Sequence, residues 1–174
     1  GTGGADRPVV MQAPKNGVFY VLDAADGELI SATPFTNQNW TTGEFDENGR
    51  PVLVEEAVDL ALYAVIPGPT GAHNWHPMAF NPDTGLVYIP VNEIPFFYDK
   101  TRNVDDSKSL WNLGYDAAAG WPVEYPAGTL DAIADMDGGS LLDWDPVKAE
   151  PRWAVPFALP LNGGVLSTEA GLVF

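Results

Sequence analysis

HPMAFNPDTGLVYIPV, residues 76–91, divides into an apolar run, a Pro-Asp-Thr-Gly turn, and a run of β-branched and aromatic residues suited to a pleated, half-buried surface. It reads as a β-hairpin. Two further stretches follow the same plan: PVVMQAPKNGVFYVLD from Pro8 and GGVLSTEAGLVF from Gly163. Aligned on Gly17, Gly85 and Gly171, the triplets that follow are Val18-Phe19-Tyr20, Leu86-Val87-Tyr88 and Leu172-Val173-Phe174, and a proline stands three residues before the glycine in the first two. Glycine suits the closing position of the turn because it tolerates positive φ. A hairpin repeated in this way predicts an all-β repeat architecture.

The aligned glycines are 68 and 86 residues apart, more than the roughly 40 to 50 residues of a compact four-stranded propeller blade. Loops must therefore be inserted between copies. Thr36 to Val52, with DENGRP as a turn, and Pro95 to Gly128, with Trp111 and Trp121, are the expected insertions. Long ordered loops on a repeated scaffold usually cover or shape a site.

A second, degenerate element follows some hairpins. VLDAADGELIS has Asp23 four residues before Gly27, and DWDPVKAEPRW has Asp145 eight residues before Trp153. An aspartate capping turn amides, followed by an inward-facing tryptophan on the next strand, would lock neighbouring blades together. Helix signals are weak: VEEAVDLALYAVI from Val54 has helix formers, but its end is continuously apolar and is followed by Pro67-Gly68-Pro69, which predicts a strand there. The chain ends at Phe174 as the third hairpin begins its second strand, and an open apolar edge invites aggregation. The expectation is one unit over residues 1–174, a fragment of a larger repeat domain.

Composition narrows the function. Hydrophobic residues make up 45% of the 174, with 18 glycines and 16 prolines, so the chain is globular and turn-rich. Eight basic residues against 24 acidic ones give a net charge of −16, which argues against nucleic acid, a partner bound through Lys and Arg. Without cysteine there is no disulfide framework, thiolate metal site or c-type haem attachment pattern in this stretch. No run approaches the roughly 18 apolar residues of a membrane span, and GTGGADRP does not read as a signal peptide. A glycosidase would need two carboxylates at a fixed separation, and nothing selects two among 24 acids.

RPVVMQAPKNGVFYVLD, GAHNWHPMAFNPDTGLVYIP, LLDWDPVK and NGGVLSTEAGLVF, in that order, resemble the pyrroloquinoline-quinone (PQQ) dependent alcohol dehydrogenases, and the quinohaemoprotein branch most. The resemblance runs from about Arg7 to Phe174. It implies part of an eight-bladed β-propeller, about three blades, with tryptophan-docking motifs and long inserted loops. It also implies PQQ near the axis beside a Ca²⁺ ion. Alcohols would be oxidised to aldehydes or ketones, with electrons passed to a cytochrome or a quinone. A haem c domain beyond Phe174 and a periplasmic location are further implications. The Ca²⁺ ligands and the aspartate base are expected before Gly1, so no metal ligand and no catalytic residue is assigned here.

The resemblance assigns three cofactor-binding residues. Lys15 matches the lysine that reaches a quinone oxygen; PQQ is a strongly anionic ortho-quinone, and an ammonium beside it would stabilise the negative charge that grows on reduction. Asn74 and Trp75 match an Asn-Trp pair at the cofactor, where an amide donates a hydrogen bond and an indole supplies a flat apolar wall and one N–H. His73 and His76 are read as structural or hydrogen-bonding residues, since Pro77 argues against a helical metal pair. Asn162-Gly163-Gly164 would let backbone approach a ligand, though packing explains these residues equally well. The alternative reading is a non-catalytic propeller with PQQ-like repeats that binds protein partners, a scaffold that would lack Lys15 and the Asn74-Trp75 pair.

Overall fold

A computed structural model describes residues 7–58, 64–97, 131, 138–159 and 163–174. Most of the expected insertion from Pro95 to Gly128, with Trp111 and Trp121, lies outside the described residues, as does Asn162.

The repeated hairpins form. β1 (Val9–Gln12) and β2 (Val18–Asp23) pair antiparallel, and β3 (Leu29–Pro34) extends them to a three-stranded sheet. A short insertion hairpin follows, β4 (Thr41–Phe45) with β5 (Pro51–Leu53), turning through Asp46–Arg50. A one-turn helix, α1 (Glu55–Val58), leads to β6 (Ala64–Val65), which supplies the strand expected before Pro67 and pairs with β9 (Phe96–Phe97). The second repeat is β7 (Ala79–Asn81) and β8 (Leu86–Asn92), and β10 (Gly139–Asp145) and β11 (Glu150–Phe157) complete a four-stranded antiparallel sheet in the order β7-β8-β10-β11. In the third repeat Ser167 bridges Val173, and Leu166 and Phe174 exchange both backbone hydrogen bonds. The second strand that opens at Leu172 is thus paired within its own hairpin.

The closing glycines behave alike: φ is +83° at Gly17, +71° at Gly85 and +79° at Gly171. The aspartate turns of the second element form as well. Asp23 accepts from the Ala25 amide while the Gly27 amide returns to the Asp23 carbonyl, and Asp145 accepts from Val147 and Lys148 while Ala149 returns to Asp145. Asn81 and Gly85 make the same turn, a third copy that the spacing of aspartates alone did not single out. Ala149 stands at φ +56°, where the other two copies have glycine.

The core lies between the faces of the two main sheets. Phe19 and Val21 of β2 meet Val87, Ile89 and Val91 of β8 and Leu142 and Trp144 of β10, with Ala13, Phe35 and Ala72 filling the ends. In β2, Phe19 and Val21 alternate with the less buried Tyr20 and Leu22, the period of a strand with one packed face, whereas all seven residues of β8 are buried. The rings of Phe19 and Trp144 are 5.7 Å apart and tilted by 38°.

One expectation is corrected here. Trp153 does not face inward: it is 41% exposed and lies beside Tyr88, while Trp144, 2% exposed, takes the core position. Trp153 pairs across the sheet with Asp143, and partners directly opposite share a face, so Trp153 sits on the side away from Trp144.

Candidate functional site

Lys15 stands at the tip of the β1–β2 hairpin, where Asn16 accepts from the Val18 amide and the Gly17 amide closes onto the Pro14 carbonyl. Its side chain is exposed and its ammonium donates to the Pro69 carbonyl at 3.2 Å. Asn74 and Trp75 sit on the loop between β6 and β7. The Asn74 amide donates to Thr70 O at 3.1 Å, and Trp75, 80% exposed, stacks on His76 with ring centroids 4.2 Å apart and planes 22° from parallel.

Backbone and side chain join these two segments. The Ala72 amide donates to Lys15 O at 2.9 Å, and the Ala72 carbonyl accepts from Asn92 of β8, so the loop is fixed to both the first hairpin and the second sheet. Gly71, at φ +83°, packs directly on Lys15. His73 is buried, with Nδ1 2.5 Å from Ala13 O and Nε2 2.7 Å from His76 O. The third hairpin arrives at the same place: Val165 donates to Pro77 O, and a Cβ on Gly164 would strike the Pro77 ring. The close approach that Gly164 permits is therefore to protein. The tip of the first hairpin and the starts of the second and third converge on residues 69–77.

The arrangement brings together Lys15 and the loop of Asn74 and Trp75. It offers an exposed ammonium, an amide, and an indole with one ring face against His76 and the rest open. Beside them, the buried amide of Gln38 has neither its nitrogen nor its oxygen hydrogen-bonded, and its oxygen lies 3.5 Å from where Gly17 would carry a Cβ. A cation, amide donors and a flat aromatic wall fit a planar, anionic quinone. Among the described residues no three His, Cys, Asp or Glu side chains gather to hold a metal ion, and no helix is long and apolar enough to cross a membrane.

His73 and Gly71 are contributors to which the sequence alone assigns no functional role. Their signal is present in GAHNWHP, where two small residues preceding a buried polar one mark a close backbone approach.

No family model matches the chain. It is 44% identical over 180 residues to quinohemoprotein alcohol dehydrogenase ADH-IIG of Pseudomonas putida, an alignment covering 98% of this chain and 24% of that protein. Among solved structures it resembles that of ADHIIG from Pseudomonas putida HK5, with a TM-score of 0.80 and 40% identity, covering 99% of this chain and 26% of the other. The quinohemoprotein alcohol dehydrogenase of Comamonas testosteroni is similar too, with a TM-score of 0.75 and 39% identity over 99% of this chain and 25% of the other. The chain spans about a quarter of the length of the relatives it matches. With likeness of this degree along nearly its whole length, in sequence and in fold, the chain is homologous to one segment of the quinohemoprotein alcohol dehydrogenases.

Proposed function

We propose that the protein carrying this segment is a PQQ-dependent alcohol dehydrogenase and that Lys15, Asn74 and Trp75 form part of its cofactor pocket. The observation that carries the proposal is the joining of the Lys15 hairpin to the 69–77 loop through Ala72, Gly71 and His73. The segment would contribute about three blades of an eight-bladed propeller within one domain, with tryptophan docking between blades. Ca²⁺ ligands and the base that takes the alcohol proton would come from elsewhere in the full-length protein. Electrons would pass to a cytochrome or quinone in the periplasm, through a haem c domain where one is present.

Held by Lys15, Asn74 and Trp75, PQQ would supply hydride-accepting quinone chemistry. Lys15 then does three things. It binds an anionic ring, orients a quinone oxygen by hydrogen bonding, and stabilises the charge that grows there. To do so it gives up the Pro69 carbonyl, a neutral acceptor, for an anionic one, and hydrogen bonds to charged acceptors are the stronger kind. Asn74 donates to a quinone or carboxylate oxygen, and the open part of Trp75 excludes water from one side of the ring.

The test is Lys15→Ala in the full-length protein. Dye-coupled alcohol oxidation should slow by about tenfold or more, equivalent to a loss of roughly 1.4 kcal/mol of transition-state stabilisation, while the fold is retained. An unchanged rate with PQQ still bound would remove Lys15 from this role. The 174-residue segment alone, given PQQ and Ca²⁺, is expected to oxidise no alcohol.

A further inference from the structure

We infer that His73 is a positioning residue that sets the separation between the Lys15 ammonium and the Trp75 indole. The inference rests on the cofactor site proposed above.

Its imidazole is 4% exposed and spans two carbonyl oxygens, those of Ala13 and His76. Carbonyl oxygens only accept, so the ring is held to them by donating N–H, and the tautomer sets which nitrogen donates. Ala13 stands two residues before Lys15, and His76 directly follows Trp75. The other links between the segments reach Pro69, Gly71 and Ala72. The imidazole alone carries the connection past Asn74 and Trp75, among the described residues. Because it is rigid and planar, it holds the two carbonyls at one spacing. The flexible parts of the site, a lysine side chain and an 80% exposed tryptophan, hang from the ends of this bridge. A bound planar ring must touch both at once, so its affinity depends on that spacing, as in any preorganised site.

A double-mutant cycle on PQQ affinity in the full-length protein tests the inference. Binding is read by equilibrium dialysis of the cofactor-free protein with Ca²⁺ present, and thermal midpoints are read alongside. His73→Phe, which keeps an aromatic ring but has no N–H, should weaken PQQ binding by about tenfold or more. In a background already carrying Lys15→Ala and Trp75→Ala, the same change should weaken it by less than about twofold, while the loss of thermal stability is similar in both backgrounds. An equal loss of affinity in both backgrounds would assign His73 to general stability and overturn the inference. Unaltered affinity in the Lys15→Ala, Trp75→Ala protein would overturn the cofactor site beneath it. If His73→Phe does not accumulate as folded protein, the same cycle run with His73→Gln, whose amide reaches only one of the carbonyls, decides by the same criteria.

Discussion

Gly71 packs against Lys15 so closely that a Cβ built on it would stand 2.5 Å from Cγ, 2.6 Å from Cβ and 2.7 Å from Cα of the lysine. Real Cβ atoms are not found at such distances, and Gly71 also has φ +83°, where an L side chain is strained. Gly71→Ala should therefore cost stability, of the order of 1–3 kcal/mol from the backbone alone, and displace Lys15. Gly27 is the control: it has φ +80°, and a Cβ added there would meet nothing within 4 Å. In thermal melts both alanine variants should fall, and in PQQ titrations only Gly71→Ala should bind more weakly. Equal PQQ affinity for the two would show that the contact with Lys15 has no bearing on the cofactor.

Ala149 offers the reverse experiment. It repeats the turn of Gly27 and Gly85 with φ +56° and no glycine. Left-handed backbone costs a residue with a side chain roughly 1–2 kcal/mol, partly offset by the greater freedom of glycine in the unfolded chain. Ala149→Gly should stabilise the protein by about 0.5–1 kcal/mol, seen as a higher denaturation midpoint. An unchanged or lower midpoint would show that packing of the Ala149 methyl against the core outweighs the strain.

Asp143 and Asp145, two residues apart on β10, should respond to pH in opposite senses. Burial holds the Asp143 carboxyl above its ordinary pKa, with Arg152 partly offsetting this and Asp145 adding to it, and its Oδ1 has no hydrogen-bond partner. A folded-state pKa raised in this way costs stability above that pKa, and the cost fades as pH falls to the ordinary carboxylate value of 3.8. Asp143→Asn should raise the melting temperature at pH 7 and change little near pH 4. The amides of Lys148 and Val147, together with the Lys148 and Arg152 charges and against some burial, hold Asp145 below its ordinary value. Its contribution is complete above 3.8 and is lost as pH falls through the depressed pKa. Asp145→Ala should cost about 1 kcal/mol at pH 7, the usual worth of a turn hydrogen bond, and progressively less in acid.

The repeated hairpins were legible because their information is local: strand-forming triplets after a glycine that must take positive φ, at Gly17, Gly85 and Gly171. The strand before Pro67 was legible for the same reason. Which tryptophan enters the core was not. A register shift between Asp143 and Trp144 and the pairing of Asp143 with Trp153 decide it, and both depend on a neighbouring strand. The site was half legible. Motif similarity singled out Lys15, Asn74 and Trp75, but the bridge through His73 joins carbonyls 63 residues apart in sequence, which no local pattern encodes.

The central claim is that the ammonium of Lys15 and the loop of Asn74 and Trp75 face one planar anionic cofactor. A crystal structure of the full-length protein with PQQ bound tests it most directly. The account predicts Nζ of Lys15 within about 3.2 Å of a quinone oxygen, released from Pro69, with Asn74 and Trp75 against the same ring. PQQ seated elsewhere, with Lys15 still donating to Pro69, would contradict it.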